Sequence, residues 1–124
     1  MRLGIVIGSV REGRVSDRVA KWVANEAKTL PDTEVSIIDL KDFSLPFFDE
    51  AISPQYNPDR KPTNEVKKFI DLIGTFDCIA LVTPEYNRSY SAVLKNALDY
   101  IDFQLQKKPV QLVAHGSTGG SSGS

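Results

Sequence analysis

A chain of 124 residues, 41% hydrophobic and 25% charged, is sized and balanced for one globular domain with its own core. A net charge of -1 argues against the basic surfaces of general nucleic-acid or membrane-surface binders, and no apolar run approaches the ~20 residues of a membrane span. The single cysteine cannot close an internal disulfide, so no oxidising compartment is indicated and a cytoplasmic location is expected.

The first predicted element is a buried parallel strand over Leu3-Gly4-Ile5-Val6-Ile7, which stops at Gly8. It opens into a loop of small, hydroxylated and cationic residues containing Ser9, Arg11, Arg14 and Ser16. A helix follows, with Ser16 as its expected N-cap. Free amide N-H groups at a helix start and the helix dipole favour an anion, and the loop adds hydroxyl and guanidinium donors. Neither the G-x-G-x-x-G dinucleotide fingerprint nor the G-x-x-x-x-G-K-[ST] triphosphate loop is present. The expected ligand group is therefore a single phosphate. The alternative is a solvated loop whose arginines only add charge.

In the helix, Val19, Ala20, Trp22, Val23, Ala24, Ala27 and Leu30 form a broad apolar face, and Pro31-Asp32 ends it. Val35, Ile37, Ile38 and Leu40 give a second strand. Asp39 at its end is read as a strand-end residue, because the glycine fingerprint that would accompany a ribose-binding acid is missing. Residues 41–62 then break the periodicity with Pro46, Pro54, Pro58 and Pro62 among Phe43, Leu45, Phe47 and Phe48. Such a stretch is too long for an idle connector, so it is expected to fold back over the sheet or reach a partner, its aromatics serving as lid or interface packing.

Thr63 to Gly74 returns to helical spacing, with Val66, Phe69, Ile70 and Ile73 inward. Cys78 to Val82 is apolar on both faces and reads as a central strand, with Cys78 a structural thiol. The polar turn Thr83-Pro84-Glu85-Tyr86-Asn87 follows at its carboxyl end, where open parallel sheets place ligands. Its side chains and backbone donors suit a flat heteroaromatic ring, the alternative being an ordinary turn. Tyr90 to Ile101 is a third helix, on which Lys95, Asn96, Asp99 and Asp102 need no role beyond solvation. Pro109 to Ala114 is a fourth strand leading into His115-Gly116-Ser117-Thr118-Gly119-Gly120, a third loop at the same edge. His115 has no carboxylate or cysteine at a recognisable spacing and reads as a capped or solvated strand-end residue. No cluster with metal-ligand spacing is seen.

Gly8-Ser9-x-Arg11-x-x-Arg14-x-Ser16, the turn 83–87 running into Leu94-Lys95-Asn96-Ala97-Leu98-Asp99, and Lys108-Pro109-Val110 leading to 116–120 together resemble the NADPH-dependent FMN reductase family. The three motifs stand in the family's order and span nearly the whole chain. The resemblance implies a flavodoxin-like α/β fold, a doubly wound parallel sheet of order 2-1-3-4-5, with FMN at its carboxyl ends. It further implies a homodimer or dimer of dimers and ping-pong hydride transfer from NADPH or NADH to a small-molecule acceptor such as a quinone, an azo compound or free flavin. Carried over residue by residue, Ser9, Arg11 and Ser16 match the positions that hold the FMN phosphate, with Arg14 as an added donor. Pro84, Glu85, Tyr86 and Asn87 match the turn against the isoalloxazine, and Ser117, Gly119 and Gly120 match the third loop around the flavin. Because the flavin carries the hydride, no acid/base pair or nucleophile is required of the protein.

The family pattern continues past the third loop, whereas here residues 121–124 are Ser-Ser-Gly-Ser, a linker-like composition. The expectation is thus an FMN-binding domain over residues 1–120, incomplete at its carboxyl end, with strand order 2-1-3-4 and the fifth strand and last helices absent. The fourth strand would then present an edge, and the first helix part of its apolar face, to a partner: a second copy by segment exchange or a complementing fragment. Two functions compete at this level. One is a working FMN-dependent reductase; the other is a flavodoxin-like fragment or assembly module with little turnover. An electron carrier fits less well, since the acidic balance used for docking to redox partners is missing.

Overall fold

The computed structural model describes residues 1–85 and 90–116. Strand β1 (Arg2–Ile7) is followed by helix α1 (Ser16–Ala27), strand β2 (Glu34–Asp39), helix α2 (Asn64–Gly74), strand β3 (Cys78–Pro84), helix α3 (Ala92–Asp99) and strand β4 (Val110–His115). The four strands form one parallel sheet of order β2-β1-β3-β4. Burial follows that order. The continuous apolar runs of β1 and β3 lie inside, while β2 and β4 are half-exposed edges.

Each face of the sheet carries its own core. On one, Ala20, Ala24 and Ala27 bring α1 close against Ile5, Ile7, Ala80 and Val82. The broad apolar face expected of α1 thus divides: its small residues are buried, while Trp22 is 63% and Leu30 52% exposed. On the other face, α2 and α3 cover Val6, Ile38, Ile79 and Leu81 with Phe69, Ile73, Leu94 and Tyr100. Gly4 admits this layer, since a Cβ there would come within 2.8 Å of the Phe76 ring.

Capping departs from expectation at α1. Val15 holds the N-cap position without a side-chain bond, and Ser16 is the first helical residue, fully buried. The two later helices are capped by side chains: Thr63 Oγ1 accepts from Val66 N, and Ser91 Oγ accepts from Leu94 N at 3.2 Å.

The segment between β2 and α2 folds back, as its length requires, but its aromatics do not form a lid. Phe43 and Phe48 pack into the α2/α3 core, edge-on to Phe69 and Tyr100, while Phe47 and Tyr56, 85% and 78% exposed, face solvent. Polar side chains of α3 and the turn after it hold the segment down. Asn96 Oδ1 accepts from Phe48 N at 2.8 Å, Asn96 Nδ2 donates to the carbonyls of Pro46 (3.0 Å) and Leu45 (3.3 Å), and Tyr100 donates to Pro46 O at 2.6 Å. Arg60, its side chain 7% exposed, makes a two-pronged pair with Glu50 at 2.8 and 2.9 Å and reaches Asp102 at 3.4 Å. Solvation was the expected role of Asn96 and Asp102; helical spacing shows which face a residue takes but not that a loop returns to meet it. Asn96→Ala is expected to destabilise the chain by about 2 kcal/mol, since it orphans partly buried backbone groups. Urea denaturation checks this; an unchanged midpoint would show that the loop is held by packing alone.

Candidate functional site

The site is built where β1 and β3 end, the point at which the chain's winding direction reverses. Gly8 N donates to Val82 O at 2.7 Å, and a Cβ at Gly8 would lie only 2.7 Å from the same oxygen, so no other residue fits this approach. Ser91 Oγ donates to Gly8 O at 2.5 Å, which ties the start of α3 to the loop leaving β1. That loop turns at Gly13, whose φ of +70° lies in the left-handed region.

Within the loop, Arg14 closes a ring. Its guanidinium donates to Ser9 O at 2.8 Å and grips the Asp39 carboxylate with two bonds of 2.7 and 2.5 Å. Both side chains are largely buried, at 13% and 22% exposure. Asp39 also accepts from Lys41 N at 3.0 Å, capping the 3-10 turn after β2. Hydrogen bonding from Arg14 holds the Asp39 carboxyl below the usual carboxylate range.

Beside this brace lies a cavity of about 520 Å³ lined by Ser9, Arg11, Val15, Ser16, Val19, Pro84, Glu85, His115 and Gly116. Of the residues expected to bind cofactor, the structure gathers Ser9, Arg11, Ser16, Pro84 and Glu85 here, and commits Arg14 to Asp39. Tyr86, Asn87, Ser117, Gly119 and Gly120 lie outside the described residues. Ser9 and Ser16 are 3% and 0% exposed, so their hydroxyls are fixed by their surroundings. The hydroxyls and the Arg11 guanidinium suit an anionic phosphate, and Val15, Val19 and Pro84 give an apolar wall for an uncharged portion of the same ligand. This donor set fits the phosphate end of a flavin mononucleotide.

Two residues read in the sequence only as strand-end residues have partners at the site. His115 reaches the cavity at the end of β4, with Nε2 2.7 Å from Ser16 Oγ, while its carbonyl accepts from Glu85 N at 2.8 Å. Burial pushes its imidazole below the usual histidine range. Asp39 is the other, and here a signal existed: strand order 2-1 places the end of β2 beside the loop that carries Arg14.

A phosphate-suited cavity at the carboxyl edge of a doubly wound parallel sheet defines a flavodoxin-like α/β protein. The chain belongs to the NADPH-dependent FMN reductase family, which it matches over residues 1–124. It is 32% identical over 124 residues to the NAD(P)H-dependent FMN reductase ntnL of Nectria sp, covering 97% of this chain and 62% of that protein. It is 36% identical over 118 residues to an FMN-dependent NADPH-azoreductase of Staphylococcus haemolyticus, covering 94% of this chain and 60% of that one. In fold it is similar to FerB, a flavoenzyme NAD(P)H:(acceptor) oxidoreductase from Paracoccus denitrificans, with a TM-score of 0.72 at 24% identity over 98% of this chain and 65% of that one. The chain thus spans about three-fifths of each of these two sequence relatives, at 62% and 60%.

The Asp39 carboxyl, being lowered in the folded chain, adds stability that is full above its unfolded pKa of about 4 and is lost as pH falls through the folded value. Asp39→Asn is expected to lower stability at neutral pH by about 1–2 kcal/mol and to flatten the acid limb of the profile. Thermal denaturation of both proteins across the acid range checks this; parallel profiles would remove the brace from the stability of the loop.

Proposed function

We propose that this chain carries the FMN site of an NAD(P)H-dependent oxidoreductase, with residues 1–120 as the FMN-binding domain. The observation that carries the reading is the convergence of Ser9, Arg11 and Ser16 on one cavity at the β1/β3 switch point. In it, Ser9, Arg11 and Ser16 take the flavin phosphate, and Arg14, braced by Asp39, holds the loop in shape. By the family pattern, Pro84, Glu85, Tyr86 and Asn87 would supply the turn against the isoalloxazine, and Ser117, Gly119 and Gly120 the third loop around the flavin.

FMN, when bound, supplies two-electron chemistry, taking a hydride from NADPH or NADH and passing electrons to an acceptor. The protein's part is to bind and orient. Buried hydroxyls and a guanidinium fix the phosphate end, and the apolar wall keeps water from one side of the ligand. No proton need be moved by a side chain. The sequence relatives' names support NAD(P)H as donor and an azo compound among the acceptors; quinones and free flavin share the same two-electron requirement. A homodimer belongs to this reading, supported by the exposed Phe47 and Trp22. A cytoplasmic location goes with NAD(P)H as the electron source.

Arg11→Ala is expected to weaken FMN binding about ten- to a hundredfold, the effect of one charge-assisted contact, and to leave riboflavin binding unchanged. Flavin fluorescence titration measures both, and addition of NADPH under anaerobic conditions should bleach the bound flavin. A folded chain that binds no FMN would overturn the reading.

A further inference from the structure

The cavity brings together one pair of side chains that the flavin reading does not by itself explain: Ser16, on the first turn of α1, and His115, at the end of β4. They stand 99 residues apart in sequence, yet Ser16 Oγ and His115 Nε2 are 2.7 Å apart. Ser16 is fully buried, so its hydroxyl direction is set by its partners and not by bulk water.

One proton decides what that hydroxyl can do. If Nε2 is bare, it accepts the Ser16 O-H, and Ser16 then turns only lone pairs toward the cavity, which a phosphate oxygen would find repulsive. If Nε2 carries a proton, it donates to Ser16 Oγ, and the O-H is released to donate to an anion. A phosphate monoester therefore selects the ring with a proton on Nε2, and its charge of about -1.5 to -2 also favours the doubly protonated imidazolium.

We propose that His115 is a positioning residue that aims the Ser16 hydroxyl at the phosphate of the flavin, so that monoester binding at this subsite is coupled to uptake of a proton from solvent by the imidazole. The proposal rests on the FMN reading above. The other elements packed around the cavity bring Arg11, from the β1–α1 loop, and Glu85, following β3; α1 presents Ser16 and Val19. Both charged groups share the cavity with and without ligand, so neither accounts for a change on binding. Burial pushes the free imidazole below the usual histidine range, which leaves room for an anion to raise it.

The chain has a single histidine, so long-range 1H–15N spectra of the imidazole report His115 alone. The full chain is titrated between about pH 5 and 8 free, with saturating FMN, and with riboflavin, which lacks the phosphate. FMN is expected to place the proton on Nε2 and to raise the His115 midpoint by about one pH unit, with riboflavin leaving it unmoved. In parallel, FMN affinity is measured for the wild type and His115→Gln, whose amide keeps an N-H donor without titrating. The phosphate's own ionisation affects both proteins equally. The ratio of their dissociation constants is therefore expected to change about tenfold across the range, the wild type losing ground as pH rises. FMN that binds while the His115 midpoint stays put, or a midpoint that riboflavin moves as far, overturns the role of His115 and leaves the FMN reading standing. A folded chain that binds no FMN at any pH overturns both.

Discussion

Gly8 is the point on which the site depends. Its N-H donates to Val82 O, its carbonyl accepts from Ser91 Oγ, and its missing side chain lets β1 and β3 end in contact. One residue thereby fixes two central strands and the start of α3 relative to one another. The loop that leaves Gly8 starts from a rigid origin, and rigidity is what a binding loop needs if its donors are to be in place before the ligand arrives.

From that origin the loop is shaped by charge. A guanidinium near its far end, that of Arg14, returns to Ser9 O and locks onto Asp39 at the end of the neighbouring strand. Bidentate pairing fixes angle as well as distance, so Arg14 determines loop shape more than it adds charge to the cavity. Arg11, three residues earlier, is left to line the cavity with Ser9 and Ser16. Two arginines of one loop thus take different places, one bound into a brace and one lining the cavity.

The return segment between β2 and α2 follows a similar logic on the other face of the sheet. Phe43 and Phe48 supply the burial, while Asn96, Tyr100, Arg60, Glu50 and Asp102 satisfy the polar groups that burial would strand. The outcome is a long stretch tied to α3 and the turn after it, with Phe47 left exposed.

Much of this was legible in the chain itself. Apolar runs in β1 and β3 without alternation require burial on both faces, and helical spacing between them requires a parallel sheet; those two facts determine the fold class, while the strand order followed from the family resemblance carried by the three loop motifs. Periodicity and local chemistry act over a few residues, and the sequence reports them faithfully. It was silent where partners are remote in the chain. Arg14 and Asp39 are 25 residues apart, Asn96 and Pro46 50, Ser16 and His115 99. A side chain's role there depends on what the folded sheet sets opposite it. Only the tertiary structure decided that Arg14 braces the loop, that Asn96 is an anchor and that the lone histidine meets the buried serine, because hydrogen bonding is a matter of ångströms in space and carries no mark in sequence spacing.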